Sequence, residues 1–165
     1  MGISSSTGIA DELERILKVE YPQFINNKDI TIKISGCMNA CGQHNMAEIG
    51  FQGMSIRTKN KQVAPALQVL LGGSNLGNGQ GRFSDKVIKI PSKRGDDALR
   101  FLLDDYIKNA IVQERFIQYY DRQGEKYFYE LLKPLADIEN LVADDFIDWG
   151  TDEKYVKSEN GNYEK

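Results

Sequence analysis

Cysteine and histidine are scarce in this 165-residue chain, with two of the first and one of the second. Two cysteines exclude the disulfide framework that staples small secreted domains. Met1–Thr7 also lacks a charged-then-apolar leader, so the expected setting is a reducing cytoplasm. No run approaches the ~20 apolar residues that a membrane-spanning helix needs, which argues against a membrane partner. A basic excess is missing too. The 24 acidic and 21 basic side chains leave a net charge of −3, which speaks against a nucleic-acid-binding face. No long internal period recurs, so a solenoid or propeller is unsupported. What remains is enough chain for one domain with a real core, 41% of it hydrophobic.

The order of local patterns predicts an α+β fold. Ser4, Ser5, Ser6 or Thr7 can cap a helix whose apolar face is Ile9, Leu13, Ile16 and Leu17, and Pro22 with Asn26-Asn27 ends it. Ile30, Ile32 and Ile34 alternate with Thr31, Lys33 and Ser35 as a strand that runs into Gly36. Glu48–Thr58, Ala66–Leu71 and Lys86–Ile90 read as further strands, with Lys59-Asn60-Lys61 as a turn. Together they make a mixed, largely antiparallel sheet of about four to five strands packed against helices. After Pro91 the period changes to helical: Leu99, Leu102, Leu103, Tyr106 and Ile107 share one face. Phe116, Tyr119 and Tyr120 form a second helix, and Tyr127 to Leu135 a third beyond Gly124. The expected organisation is an α+β domain over residues 1–110 and a helical extension of it over 111–136. An acidic tail over 137–165 follows, in which Phe146, Ile147 and Trp149 pack as a short arm and Ser158–Lys165 is disordered.

The scarce residues are crowded together. Cys37, Cys41 and His44 fall within eight positions, on the loop at the end of the Ile30–Ser35 strand. Thiolates in this arrangement suit zinc or an iron–sulfur cluster, both of which normally take four ligands. The chain is one soft ligand short of that, although a carboxylate such as Glu48 could complete a zinc site. A stand-alone zinc-binding module, a purely structural interaction module with two unliganded thiols, and a Cys37–Cys41 disulfide are the alternatives at this point. The glycine-rich stretch Leu71–Arg82 could turn N–H groups toward an anion, but it matches neither a Walker loop nor a dinucleotide fingerprint and reads as a mobile turn. His44 is conceivable as a general base, and a loop histidine is more often simply solvated. The aromatic residues of Phe116–Phe128 have core spacing, not that of a base-stacking stripe. Lys86, Lys89, Lys93 and Arg94 read as a solvated strand end.

The run Ile34-Ser35-Gly36-Cys37-Met38-Asn39-Ala40-Cys41-Gly42-Gln43-His44, followed by Ala47-Glu48-Ile49-Gly50-Phe51-Gln52-Gly53, resembles the second cysteine motif of the sirohaem-dependent sulfite and nitrite reductases. Leu71-Gly72-Gly73 and the strand and helix after it fit the same family, and the likeness extends from Ile3 to about Gly124. In that family two cysteine pairs hold one [4Fe-4S] cluster, and the last cysteine also bridges to the sirohaem iron. The resemblance therefore implies that Cys37 and Cys41 are cluster ligands, with Cys41 also the axial ligand of sirohaem. It implies that Ser35 and Asn39 contact the sirohaem. Met38 stands where the family usually has proline, which removes no ligand.

The family's first cysteine pair lies just before the helix placed here at Ile9–Lys18, and the anion-binding basic residues lie further upstream. Neither is in this chain. The expectation is accordingly a C-terminal fragment of a reductase, with Met1-Gly2 a remnant of cloning, whose partners are the rest of the enzyme and a ferredoxin or flavoprotein donor. Alone it should be inactive and hold no stable cluster. Met38, Met46 and Met54 or their neighbours are expected to be exposed on an unpartnered sirohaem-facing surface prone to self-association.

Overall fold

The computed structural model describes Ile3–Val156; the expected disorder of Ser158–Lys165 falls outside those residues. Helix α1 (Ser6–Val19) starts where Ser5 Oγ accepts from the Gly8 amide at 3.1 Å, and it buries Ile9, Leu13 and Ile16. Each of these side chains, fully buried, contributes about 1.5–3 kcal/mol. After a short turn come β1 (Ile32–Ser35), β2 (Ile49–Arg57) and β3 (Val63–Leu71). A small hairpin follows, β4 (Ser74–Gly77) with β5 (Gln80–Arg82), and then β6 (Asp85–Pro91). Helices α2 (Gly95–Asn109), α3 (Phe116–Gln123) and α4 (Glu125–Leu132) complete the regular elements.

The sheet order is β1-β2-β3-β6, with β1 parallel to β2 and the other pairs antiparallel, so the fold is α+β with a mixed sheet. Ile49 and Phe51 of β2, Leu67, Val69 and Leu71 of β3, and Ile90 of β6 point into one core with the helices. The aromatics expected to be core are core: Phe116, Tyr119, Tyr120 and Phe128 are buried, with ring centroids 5.2–6.4 Å apart. Ile107 is not, being 52% exposed at the far end of α2.

The glycine-rich stretch is the β4–β5 hairpin. Asn78 and Gly79 take φ of 50° and 75° between Gly77 and Gln80, the two-residue turn that suits the strand twist. The opposite face of the sheet is covered at one end by the loop after β1. At the other end Leu141 and Phe146 pack with Met54 on Ile56, Ala64 and Ala66. Among the described residues, no helix is long and apolar enough to cross a membrane.

Candidate functional site

Both cysteines lie on the loop that leaves β1, as its alternation and Gly36 predict. Cys37 is half-buried, Cys41 is exposed, and both thiols are free. The loop is closed from beneath. Ser35, at the buried end of β1, accepts from the Gly42 amide through Oγ at 2.9 Å. A side chain at Gly42 would overlap the Ile34 carbonyl oxygen, so only glycine lets the loop return this closely to its own strand. Ala40 and Gln43 both adopt φ of 54°, and the Gln43 amide bonds to the Ala40 carbonyl at 2.7 Å. Two left-handed residues flanking Cys41 turn the backbone tightly there. Lys33 Nζ reaches Gln43 Oε1 at 3.0 Å, and Asn39 is exposed at the loop tip.

A second strand of chain meets the loop. The Gly36 carbonyl accepts from the Ile3 amide at 2.5 Å and from the Ser4 amide at 3.2 Å. The backbone entering α1 therefore lies against the residue that precedes Cys37. Ser4 is 5% exposed, and its hydroxyl has no hydrogen-bond partner among the described residues. The hydroxyl is packed against Gly53, where a side chain would overlap it.

Two residues read one way from the sequence stand differently in the fold. His44 is 2% exposed, not solvated, and its Nδ1 is unpaired. Burial lowers its pKa, the Gln52 hydrogen bond opposes that, and the Lys86 charge adds to it, so the ring is neutral at pH 7. It cannot serve as a solvent-facing base. Glu48 is equally buried, and it is engaged away from the thiols. It accepts from the Thr31 amide at 2.9 Å, from the Thr31 hydroxyl, and from Ser74 Oγ at 2.7 Å. These bonds pin the start of β1 to β4. Among the described residues no three His, Cys, Asp or Glu side chains are grouped to hold a metal, so the zinc set of Cys37, Cys41, His44 and Glu48 does not assemble.

The exposed methionine surface is also smaller than expected. Met38 is 73% exposed, while Met46 and Met54 are half-buried. Of the basic cluster, Arg94 is not a solvated strand end; it pairs with Asp145 through both guanidinium arms at 2.8 and 3.1 Å. The donor set on the loop is therefore two thiols with no third protein ligand beside them.

No protein-family model matches the chain. Curated relatives do. The sulfite reductase [ferredoxin] of Mycobacterium tuberculosis is 32% identical over 118 residues, 71% of this chain and 21% of that protein. The sulfite reductase [NADPH] hemoprotein beta-component of Anoxybacillus flavithermus is 30% identical over 114 residues, 68% of this chain and 18% of that protein. The chloroplastic ferredoxin–nitrite reductase of Pinus sylvestris is 34% identical over 65 residues, 39% of this chain and 55% of that protein. Among solved structures, the NirA protein of Mycobacterium tuberculosis superposes with a TM-score of 0.58 at 28% identity, over 73% of this chain and 22% of that one. The chain spans about a fifth of the length of the sulfite reductases it matches.

Proposed function

We propose that this chain, a relative of sulfite reductases over about seven tenths of its length and of a nitrite reductase over 39% of it, is the part of such a reductase that supplies half of its cluster ligands. In this reading Cys37 and Cys41 bind as thiolates to a [4Fe-4S] cluster, and Cys41 also faces sirohaem. Thiolate is the ligand iron–sulfur chemistry requires, and both cysteines lie on the one short loop that leaves β1. When bound, the coupled cluster and sirohaem supply the one-electron steps of a six-electron reduction of sulfite or nitrite.

The chain's own contribution is to hold and shape. Ser35 fixes the loop through the Gly42 amide, and Asn39 offers an exposed amide at the tip to the sirohaem periphery. The neutral His44 ring beneath the loop adds no charge near the thiolates. The single observation that carries the reading is the pair of bonds from Ile3 and Ser4 to Gly36. Ile3 and Ser4, at the entry to α1, lie against the residue before Cys37, and the family resemblance puts the other cysteine pair just before this helix. The unpaired Ser4 hydroxyl sits at the same junction.

The enzyme so completed is an oxidoreductase. Its donor is a ferredoxin or a flavoprotein, in keeping with the ferredoxin and NADPH in the relatives' names. We place it in the cytoplasm, a reducing compartment where free thiols persist. The isolated chain is inactive and holds no stable cluster. Anaerobic reconstitution with iron and sulfide tests this. The chain alone should retain no stoichiometric cluster, whereas the chain joined to the preceding reductase sequence should retain one and lose it on Cys37→Ser or Cys41→Ser. A stable, stoichiometric cluster on the isolated monomer would overturn the proposal.

A further inference from the structure

The acidic stretch after α4 is not used by the cofactor reading, yet its buried charges converge on the segment that holds the cysteine loop. Asp148 is 7% exposed. Its Oδ2 accepts from the Ser5 amide at 2.6 Å, and its Oδ1 accepts from Ser92 Oγ at 3.1 Å and from the Trp149 amide at 2.9 Å. Trp149 Nε1 donates to the Ser92 carbonyl at 2.8 Å, and Lys93 Nζ lies 4.6 Å from the centre of the Trp149 ring. The Trp149 backbone packs so closely on Gly8 that any side chain there would overlap it.

Further on, Tyr155 OH donates to the Ile3 carbonyl at 2.8 Å. The Tyr155 amide bonds to the Phe146 carbonyl at 2.7 Å, and Ile147 bridges to Lys154, so the strap folds back on itself to deliver that tyrosine. At its root, Arg94 clamps Asp145 and the carbonyls of Leu135 and Asp137.

Asp148 thus grips the residue that caps α1, and Tyr155 grips Ile3. Ile3 and Ser4 in turn hold Gly36, the residue before Cys37. We infer that the strap Asp145–Tyr155 is the positioning element of the cysteine loop, with Asp148 and Tyr155 as its positioning residues. They touch neither thiol. They act by fixing the Ile3–Ser5 backbone against which Gly36 is hydrogen-bonded, which sets the direction of Cys37 while leaving Cys41, on the loop's outer arm, largely independent. The function of that positioning rests on the cluster reading, but the coupling from strap to loop does not.

The test is differential thiol chemistry on the full chain under reducing, metal-free conditions. Iodoacetamide labelling of Cys37 and Cys41 is followed separately by peptide mass spectrometry, together with amide exchange across Ile3–Gly8. Asp148→Asn replaces the charged acceptor of the Ser5 amide. The Ile3–Ser5 amides should then exchange about tenfold faster, and the Cys37-to-Cys41 labelling ratio should rise, as loss of a charge-assisted buried bond opens the segment locally. Tyr155→Phe removes a single neutral bond and should give the same pattern at about fivefold. It serves as the readout if Asp148→Asn does not fold.

Asp105→Asn is the control. It replaces one of the two carboxylate oxygens that accept from Tyr119 and Tyr127 in the aromatic cluster, and removes the charge from both bonds, at a place with no hydrogen bond to the strap among the described residues. It should leave the ratio unchanged. An unchanged ratio in the folded strap variants, or an equal change in Asp105→Asn, overturns the inference. A cluster that forms normally on the isolated chain would instead refute the cofactor reading and leave the strap coupling standing.

Discussion

Replacing Glu48 with alanine should destabilise the fold and loosen the cysteine loop at its root. The carboxylate is 3% exposed and accepts three hydrogen bonds, from the Thr31 amide, the Thr31 hydroxyl and Ser74 Oγ. A hydrogen bond to a charged group has a net value of about 1.5–3 kcal/mol. Thr31 is exposed, so water replaces its lost acceptor and its two bonds count for little. Ser74 is fully buried and is left with an unpaired hydroxyl, an additional cost of about 1–3 kcal/mol. The total expected from the truncation is therefore about 3 kcal/mol, set mainly by the Ser74 side and the void left by the side chain. Glu48→Gln keeps the shape and one acceptor but points an N–H at a donor, and about half that loss is expected. Urea unfolding of the three proteins at pH 7, read as midpoints at constant slope, measures both values. A loss below about 1 kcal/mol in Glu48→Ala would refute the reasoning, because it would mean that water reaches Ser74 and that the carboxylate does not bind β1 to β4.

Other perturbations have equally definite outcomes. Gly42→Ala forces the loop off the Ile34 carbonyl and should cost about 2–3 kcal/mol, seen as a lower midpoint in thermal unfolding together with faster labelling of Cys37. Arg94→Ala leaves the 2%-exposed Asp145 carboxylate without its partner, a buried-pair truncation expected to cost about 3 kcal/mol in urea unfolding. His44 supplies a pH dependence. Its folded pKa lies below its unfolded value near 6.5 because of burial, so the unfolded chain binds the proton more readily. Its stabilising effect is present above that unfolded value and is lost as pH falls through about 6.5 toward the folded pKa. The difference in unfolding free energy between the parent chain and His44→Gln should shrink between pH 7 and pH 5.5; a constant difference would contradict a buried neutral ring.

Much of this arrangement is legible in the sequence where the determinants are local. The alternation of Ile30, Ile32 and Ile34 before Gly36 puts the thiols at a strand end, and the period of Leu99, Leu102 and Leu103 puts that face of α2 in the core. Asn78-Gly79 is a local hairpin signal too, but its flanks are glycine and polar residues without alternation, so it reads only as a turn. The site's supports are different. Glu48 finds Thr31 and Ser74 at separations of 17 and 26 residues, and Asp148 finds Ser5 at 143. No window of sequence contains both partners. His44 looks solvated because its neighbours Gln43 and Asn45 are polar; it is buried because the His44 backbone closes onto Gly50 of β2 with no room for a side chain there. Met46 and Met54 are partly covered by the hairpin and by the strap, neither of which a methionine's own neighbours announce.

The central claim is that Cys37 and Cys41 are half of a four-thiolate cluster site, and Cys41 gives the most direct handle on it. In this chain Cys41 is exposed and its thiol is free. In the intact parent reductase, purified anaerobically, both thiols should resist alkylation while iron is bound. Both should become labelled, Cys41 first, once a chelator has removed the iron. If Cys41 in the iron-loaded enzyme labels as fast as it does in this chain, it is not a cluster ligand and the account fails.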